Sequence, residues 1–310
     1  MTEFQWPAER RVGFSPGGSL RISLLLLGLA LVPARAAHVT FAAIGDYGNG
    51  STNEGNVARL VKSWRPAFII TLGDNNYPSG KAETIDANIG QFYHEFIHPY
   101  VGNFGAGAGS NRFFPSLGNH DWITPGASGY LDYFTLPGNE RYYTFTNGPV
   151  QLFCLDSDRA EPDGITPESI QGQWLRRELA ASTAPWKLVY FHHAPYSSGS
   201  WHGTYSGETA YFRWPFKEWG ATAVLAGHDH IYERVFTGRL TYFVNGLGGD
   251  SYDPPRRPLV AGSQKFFTGD FGAMRMDATE TNLTFRFITW RGRVMDTHVL
   301  VGPPGRPLVR

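Results

Sequence analysis

Five apolar runs in this 310-residue chain stop in residue types that bind metal ions. The endings are Gly45-Asp46-Tyr47-Gly48, Gly73-Asp74-Asn75-Asn76-Tyr77, Gly118-Asn119-His120-Asp121, Val189-Tyr190-Phe191-His192-His193 and Gly227-His228-Asp229-His230. Singly each is weak: a Gly-Asp pair is an ordinary turn, because glycine accepts positive φ and aspartate hydrogen-bonds its own backbone. His-x-His carries more, since imidazole is the commonest metal ligand. Five such endings together point to one metal centre, built from carboxylate, amide and imidazole donors.

Residues spread over so much chain converge only if the fold brings them together. Loops at the carboxyl ends of strands do this in open α/β sheets. Strand patterns are read at Val39–Ile44, Phe68–Leu72, Phe113–Leu117, Val150–Leu155, Leu188–Phe191 and Ala223–Ala226. Helical patterns lie between some of them, at about Asn53–Trp64, Ile85–Phe96 and Pro167–Ser182. The alternation predicts an α/β core with mostly parallel pairing in its first part. After residue 238 only short alternating segments follow, Leu240–Val244, Ala273–Met276, Leu283–Trp290 and Val294–Val301. They predict an antiparallel addition closing a second sheet. Gly102–Ser110 and Gly248–Gln264 read as loops rather than linkers, so one domain is expected over 37–310.

The first 36 residues read differently. Arg10, Arg11 and Arg21 precede the apolar run Ile22–Val32, and Ala34-x-Ala36 follows as a cleavage site, the three parts of a signal peptide. About eleven apolar residues at 1.5 Å each span only about half of a bilayer core, so a stable membrane anchor is not expected. Export to the outside or the periplasm is expected, with cleavage near Ala36-Ala37 and either the general or the twin-arginine route open. The whole chain has 27 basic and 27 acidic residues. That balance argues against binding to nucleic acid through bulk positive charge. The single cysteine, Cys154, excludes an intrachain disulfide framework and any cysteine-based zinc module.

The set Asp-x-Gly, Gly-Asp-x-x-Tyr, Gly-Asn-His-Asp, Val-x-x-His and Gly-His-x-His resembles the five-block signature of the purple acid phosphatases, within the calcineurin-like metallophosphoesterases. The blocks stand in the family's order from Asp46 to His230, and the resemblance runs on through Ile231-Tyr232-Glu233-Arg234 and Val244-Asn245-Gly246. It implies an α/β fold of four layers: two mixed β-sheets packed as a sandwich with flanking helices, and a dinuclear site at the carboxyl ends of strands. It also implies a compact form, because the chain has no room for the N-terminal β-sandwich of the large plant-type enzymes. By resemblance, Fe(III) would be held by Asp46, Asp74, Tyr77 and His230. A divalent Fe, Zn or Mn would be held by Asp74, Asn119, His192 and His228. Asp74 would bridge the ions, which in two-metal sites lie about 3.5–4 Å apart. The phosphodiesterase-like relatives resemble Asp-x-His at the first block. Here that third position is Gly48, and Tyr77 supplies a phenolate instead.

The activity so implied is metal-dependent hydrolysis of phosphate monoesters in acid, by attack of a metal-bound hydroxide. The five positive charges of the cations, reduced by about four from the anionic ligands and the hydroxide, leave about +1 to meet a phosphate dianion. His120 and His202 are the candidates for protonating the leaving oxygen, with Asp121 orienting His120 through a hydrogen bond. Of His192-His193 only the first is expected to face the metals, because a strand alternates its faces. Trp201, Tyr205, Tyr211, Phe212 and Trp214 are expected to pack rather than to form a substrate rim. Two other functions stay open: a metal-dependent phosphodiesterase or nucleotidase, favoured only by the superfamily, and a non-enzymatic binding or redox protein that has kept the fold.

Overall fold

Between Trp186 and His193 successive side chains enter two different cores. Trp186, Leu188 and Tyr190 pack in one, Val189 and Phe191 in the other, which requires a sheet covered on both faces. Ala223–Gly227 divides in the same way, with Ala223 and Leu225 in the first core and Val224 and Ala226 in the second. The computed structural model describes residues 38–207 and 210–302, together with Met1, Thr2 and Gly13. Apart from those three residues, the leader expected over 1–36 lies outside the described residues.

Thirteen strands are found among the described residues. In chain order they are β1 (Val39–Ile44), β2 (Ile69–Thr71), β3 (Phe113–Pro115), β4 (Tyr143–Asn147), β5 (Val150–Cys154), β6 (Trp186–His193), β7 (Ala223–Gly227), β8 (Tyr232–Thr237), β9 (Leu240–Asn245), β10 (Ser263–Phe267), β11 (Gly272–Ala278), β12 (Asn282–Thr289) and β13 (Val294–Val301). One sheet has the order β13-β12-β11-β1-β2-β3, the other β10-β8-β9-β7-β6-β5-β4. The parallel pairs β1-β2 and β2-β3 form one end of the first sheet, and β5-β6, β6-β7 and β7-β9 form the middle of the second; antiparallel strands complete both. The sheets meet through stacked rings. Tyr232 lies 4.4 Å from Phe287 and Phe243 lies 4.5 Å from Phe285, each pair joining a strand of one sheet to β12 of the other.

Helices cover the outer faces. Helix Thr52–Ser63 lies against β11 and buries Val57, Ala58 and Val61. Its first turn is capped by Ser51, whose side chain accepts from the Glu54 N–H. Helix Ile170–Ala181 is capped in the same way by Ser169 and sends Leu175 and Leu179 into the second core. The fold is thus the expected one, two mixed sheets with flanking helices. No helix among the described residues is long and apolar enough to cross a membrane.

Three expectations need correction. The closing segments are not a single antiparallel addition to the second sheet. β9 joins the second sheet parallel to β7, while β11 to β13 extend the first sheet antiparallel from β1. The helix expected over Ile85–Phe96 is broken into Ala82–Ile85, a π turn Asp86–Gly90, Gln91–Tyr93 and a 3-10 turn His94–Phe96. The Asp86 carboxylate sits over Gly90 and accepts from the Tyr100 and Tyr133 hydroxyls and from the Asn103 N–H, so the turn widens around it. Finally, β4, β8 and β10 were absent from the expected strands.

Candidate metal centre

All five motif endings reach the same place. Asp46, Asp74 and Asn119 follow β1, β2 and β3, His192 ends β6, and His228 and His230 follow β7. Three of these residues have left-handed backbones, Asp46 at φ 56°, Asp74 at 52° and His228 at 72°. For residues with a Cβ this is strained, and it turns each side chain sharply back over the sheet edge. Neighbouring glycines allow the turns to nest. A Cβ on Gly73 would lie 2.5 Å from the His192 Nδ1, and one on Gly227 would lie 2.5 Å from an Asp46 oxygen.

Asp74 stands between two groups of donors. Its Oδ2 accepts from the Tyr77 hydroxyl at 2.9 Å. That hydroxyl is also 3.5 Å from Asp46 Oδ1 and 3.3 Å from His230 Nε2. Its Oδ1 lies 3.4 Å from His192 Nε2, which is in turn 2.9 Å from Asn119 Oδ1 and 3.1 Å from His228 Nδ1. The two oxygens of one carboxylate therefore face one group each. Outer contacts set the rings: His192 Nδ1 donates to the Leu72 carbonyl at 2.8 Å, the His228 N–H donates to Asp46, and the His120 N–H donates to Asp74 Oδ1 at 2.9 Å.

The charges are unbalanced. Asp46 and Asp74 are buried, yet among the described residues no lysine or arginine lines the pocket above them. Burial, then Asp74, Asp46 and Asp250, push the Tyr77 phenol well above its ordinary range. Burial opposes charge on His230, but the hydrogen bond and charge of Asp46, with Asp253 and Asp250, raise it to about 9. Burial and the four neighbouring imidazoles hold His228 well below its ordinary value, so it is neutral, and its Nε2 is buried without a hydrogen-bonding partner. Two buried carboxylates, a phenol, an amide oxygen and imidazoles, with no lysine or arginine among them, suit cations: bound metal is one way to compensate buried anions, and it reverses the tendency of a phenol to keep its proton.

Sequence reasoning misplaced two residues. His193 does not turn away from the centre, because the pairing of β6 with β7 shifts between Tyr190 and His193. Its ring lies 4.4 Å from that of His228, and Nδ1 is 2.8 Å from the Ser157 hydroxyl. His192, His193 and His228 thus form a second set of ligand atoms close enough for one ion, beside Asp46, Asp74 and His192. Asp121 does not orient the His120 ring. Its buried carboxylate accepts from the Gly118 and Asn75 N–H groups and from the Asn75 side-chain amide, while His120 Nδ1 lies 2.6 Å from the Pro78 carbonyl. The hub of this layer, Asn75, was not singled out. Its side chain donates to Ser116 O and Asp121 and accepts from the Thr71 and Tyr47 hydroxyls, which satisfies all four of its hydrogen-bonding positions.

His120 and His202 both line the pocket over the centre, a space of about 490 Å³. The His120 ring is 4.6 Å from Tyr77 and the His202 ring 4.3 Å from His228. Asp250 and Ser251 close the wall behind His230, and their place in a long Gly- and Pro-containing loop gave no sign of it. Cys154 is buried and its thiol is pushed up by burial, as an inert core residue should be.

Residues 39–232 match the family model of the calcineurin-like phosphoesterases. Among curated proteins the chain is similar to human tartrate-resistant acid phosphatase type 5, 25% identical with 76% of this chain and 81% of the relative covered. It is also similar to purple acid phosphatase 17 of Arabidopsis thaliana, 24% identical over 85% of each. Among solved structures, the purple acid phosphatase PPD1 of yellow lupin superposes with a TM-score of 0.66 at 17% identity, covering 86% of this chain and 54% of that one. GAP50, described as the anchor in the inner membrane complex of Plasmodium, superposes with the same score at 19% identity, covering 86% and 90%. At these identities the superpositions show the fold.

One glycine gives a direct test of the geometry. A Cβ on Gly48 would lie 1.6 Å from the Asn75 carbonyl oxygen, so no side chain fits where the phosphodiesterase-like pattern has histidine. Gly48→Ala should lower stability by about 1–3 kcal/mol or more in urea unfolding, and Gly48→His should fall further without binding more metal. A Gly48→His protein of normal stability with an added histidine ligand would contradict this packing.

Proposed function

The chain belongs to the calcineurin-like phosphoesterase family, and from that premise we propose that it is a phosphatase of the purple acid type, hydrolysing phosphate monoesters at two metal ions. Tyr77 carries the reading. Its hydroxyl reaches Asp74, Asp46 and His230 within 3.5 Å, on the side of the centre where Gly48 leaves no space for a histidine. Asp46, Tyr77, His230 and one oxygen of Asp74 would hold the trivalent ion, expected to be Fe(III), because anionic oxygen donors suit a hard cation. Asn119, His192, His228 and the other Asp74 oxygen would hold a divalent Fe, Zn or Mn. When bound, such a pair neutralises the phosphoryl oxygens and makes a nucleophile from water in acid.

The chain's own residues do the rest. The His120 N–H fixes Asp74 Oδ1, so the bridging carboxylate keeps one oxygen for each group. The Pro78 carbonyl can only accept, so His120 Nδ1 carries a proton and Nε2 is the atom that takes up and releases one. His120 is thus the acid for the leaving oxygen. His202 approaches from the His228 side, its backbone N–H held by Asp229 Oδ1 at 3.3 Å, and acts as the second hydrogen-bond donor to the substrate. Asp121 serves indirectly, by locking Gly118 and Asn75 on either side of Asn119 and Asp74.

Residues 1–36 are proposed to direct export and residues 37–310 to form the catalytic domain. Sequencing of the exported protein should then begin at Ala37, and a mature form starting at Met1 would contradict it. Reconstituted with iron and a divalent metal, the protein should hydrolyse a chromogenic phosphate monoester faster than the corresponding diester. A faster diester reaction would assign it to the phosphodiesterases instead. Tyrosinate on ferric iron absorbs visible light, so the concentrated protein should be purple or pink. Tyr77→Phe should lose the colour with the fold intact and hold iron less tightly. Ferric, fully occupied wild-type protein without a visible band would refute the assignment of Tyr77.

A further inference from the structure

The aromatic residues expected only to pack divide into two groups. Phe212 and Trp214 are buried in the second core. Trp201 is 53% exposed, at the mouth of the pocket, with its ring 6.5 Å from that of His230. An indole left in water forgoes a large burial gain, and here the loop that carries it is fixed on both sides. Ser198 donates through its N–H and hydroxyl to the buried Glu233 and accepts from the Val260 N–H. The Ser200 N–H donates to Pro254 O, the His202 N–H to Asp229, and the Thr204 N–H to Ser197 O. A rigidly held, exposed ring beside a reaction centre is a surface prepared for another flat group, since little conformational entropy remains to be lost on contact.

The wall toward Asn49 has a different character. Asn49 Nδ2 donates to Asp250 Oδ1 at 3.0 Å and the Ser251 hydroxyl donates to Asp250 Oδ2 at 3.0 Å. These bonds hold a carboxylate at the rim, and among the described residues no lysine or arginine lines the pocket to receive a second anion. From the fixed Trp201 ring facing a pocket whose rim, among the described residues, carries the Asp250 carboxylate and no lysine or arginine, we infer that Trp201 determines specificity, selecting phosphate monoesters with an aromatic ring next to the phosphate and no further negative group. The inference rests on the phosphatase reading for the reaction but not for the binding. Aryl and benzyl phosphates fit the ring requirement, whereas diphosphates and triphosphates bring charge the rim repels.

Phosphonates separate ring binding from leaving-group reactivity, because their P–C bond is not hydrolysed. Calorimetric titration of the metal-loaded full chain should show benzylphosphonate binding about tenfold tighter than propylphosphonate, the scale of one aromatic stacking contact. Trp201→Ala should bring the ratio close to one, and Trp201→Phe should restore most of it. A carboxylate on the far side of the ring, as in 4-(phosphonomethyl)benzoate, should weaken binding to the wild type, and Asp250→Asn should narrow that gap. Equal affinity for the benzyl and propyl compounds, or a preference that survives Trp201→Ala, would overturn the inference. So would failure of both phosphonates to bind. A ring preference lost in Trp201→Ala, in a protein that hydrolyses no monoester, would leave the binding inference standing and overturn the phosphatase reading alone.

Discussion

Two carboxylates buried side by side with no lysine or arginine against them set the terms for the rest of this molecule. Asp46 and Asp74 are almost fully enclosed, and an ionised carboxylate in such a place needs a compensating charge or must take up a proton. The neighbours offer only histidines, a phenol and an amide. His230 is drawn toward its charged form and Tyr77 toward its neutral one, which is how a surplus of negative charge appears in its surroundings. Cations would resolve the surplus, and Asp74, with one oxygen toward each group of donors, is placed to serve two of them.

The fold meets this demand by bringing strand ends together and then bending them. The parallel strands β1, β2 and β3 of one sheet and β6 and β7 of the other put five carboxyl ends along one edge of the sandwich. The left-handed turns at Asp46, Asp74 and His228 then fold the side chains over that edge. The strain is held by contacts that leave no spare space: Asn75 satisfied at every hydrogen-bonding position, Asp121 locked between two backbone segments, Gly73 against the His192 ring. Rigidity here matters because donors fixed before binding do not have to reorganise around a cation.

The chemistry-bearing residues were legible because each follows a strand whose apolar run ends abruptly. What stayed hidden depends on contacts distant in sequence. β4, β8 and β10 have partly exposed or mixed faces, so their patterns are weak. The break at Asp86–Gly90 arises from the tyrosines at 100 and 133, which no local periodicity reports. Strand alternation failed at His193 because the β6-β7 pairing is irregular there, and adjacency misled at Asp121, whose helix turn points the carboxylate back toward Asn75. Trp201 looked like its buried aromatic neighbours, since composition cannot tell a ring in the core from one held at a rim.

A competing arrangement lies in the same centre: His192, His193 and His228 have ligand atoms close enough to hold one ion without Asp74 as a bridge. Anomalous diffraction from crystals of the metal-loaded protein, collected at the iron edge and at the edge of the second metal, distinguishes the two directly. Two peaks are expected on opposite sides of the Asp74 carboxylate, about 3.5–4 Å apart, with iron beside Tyr77 and His230 and the second metal beside Asn119, His192 and His228. A single peak among His192, His193 and His228, with Tyr77 and Asp46 bearing no metal, would contradict the two-ion centre.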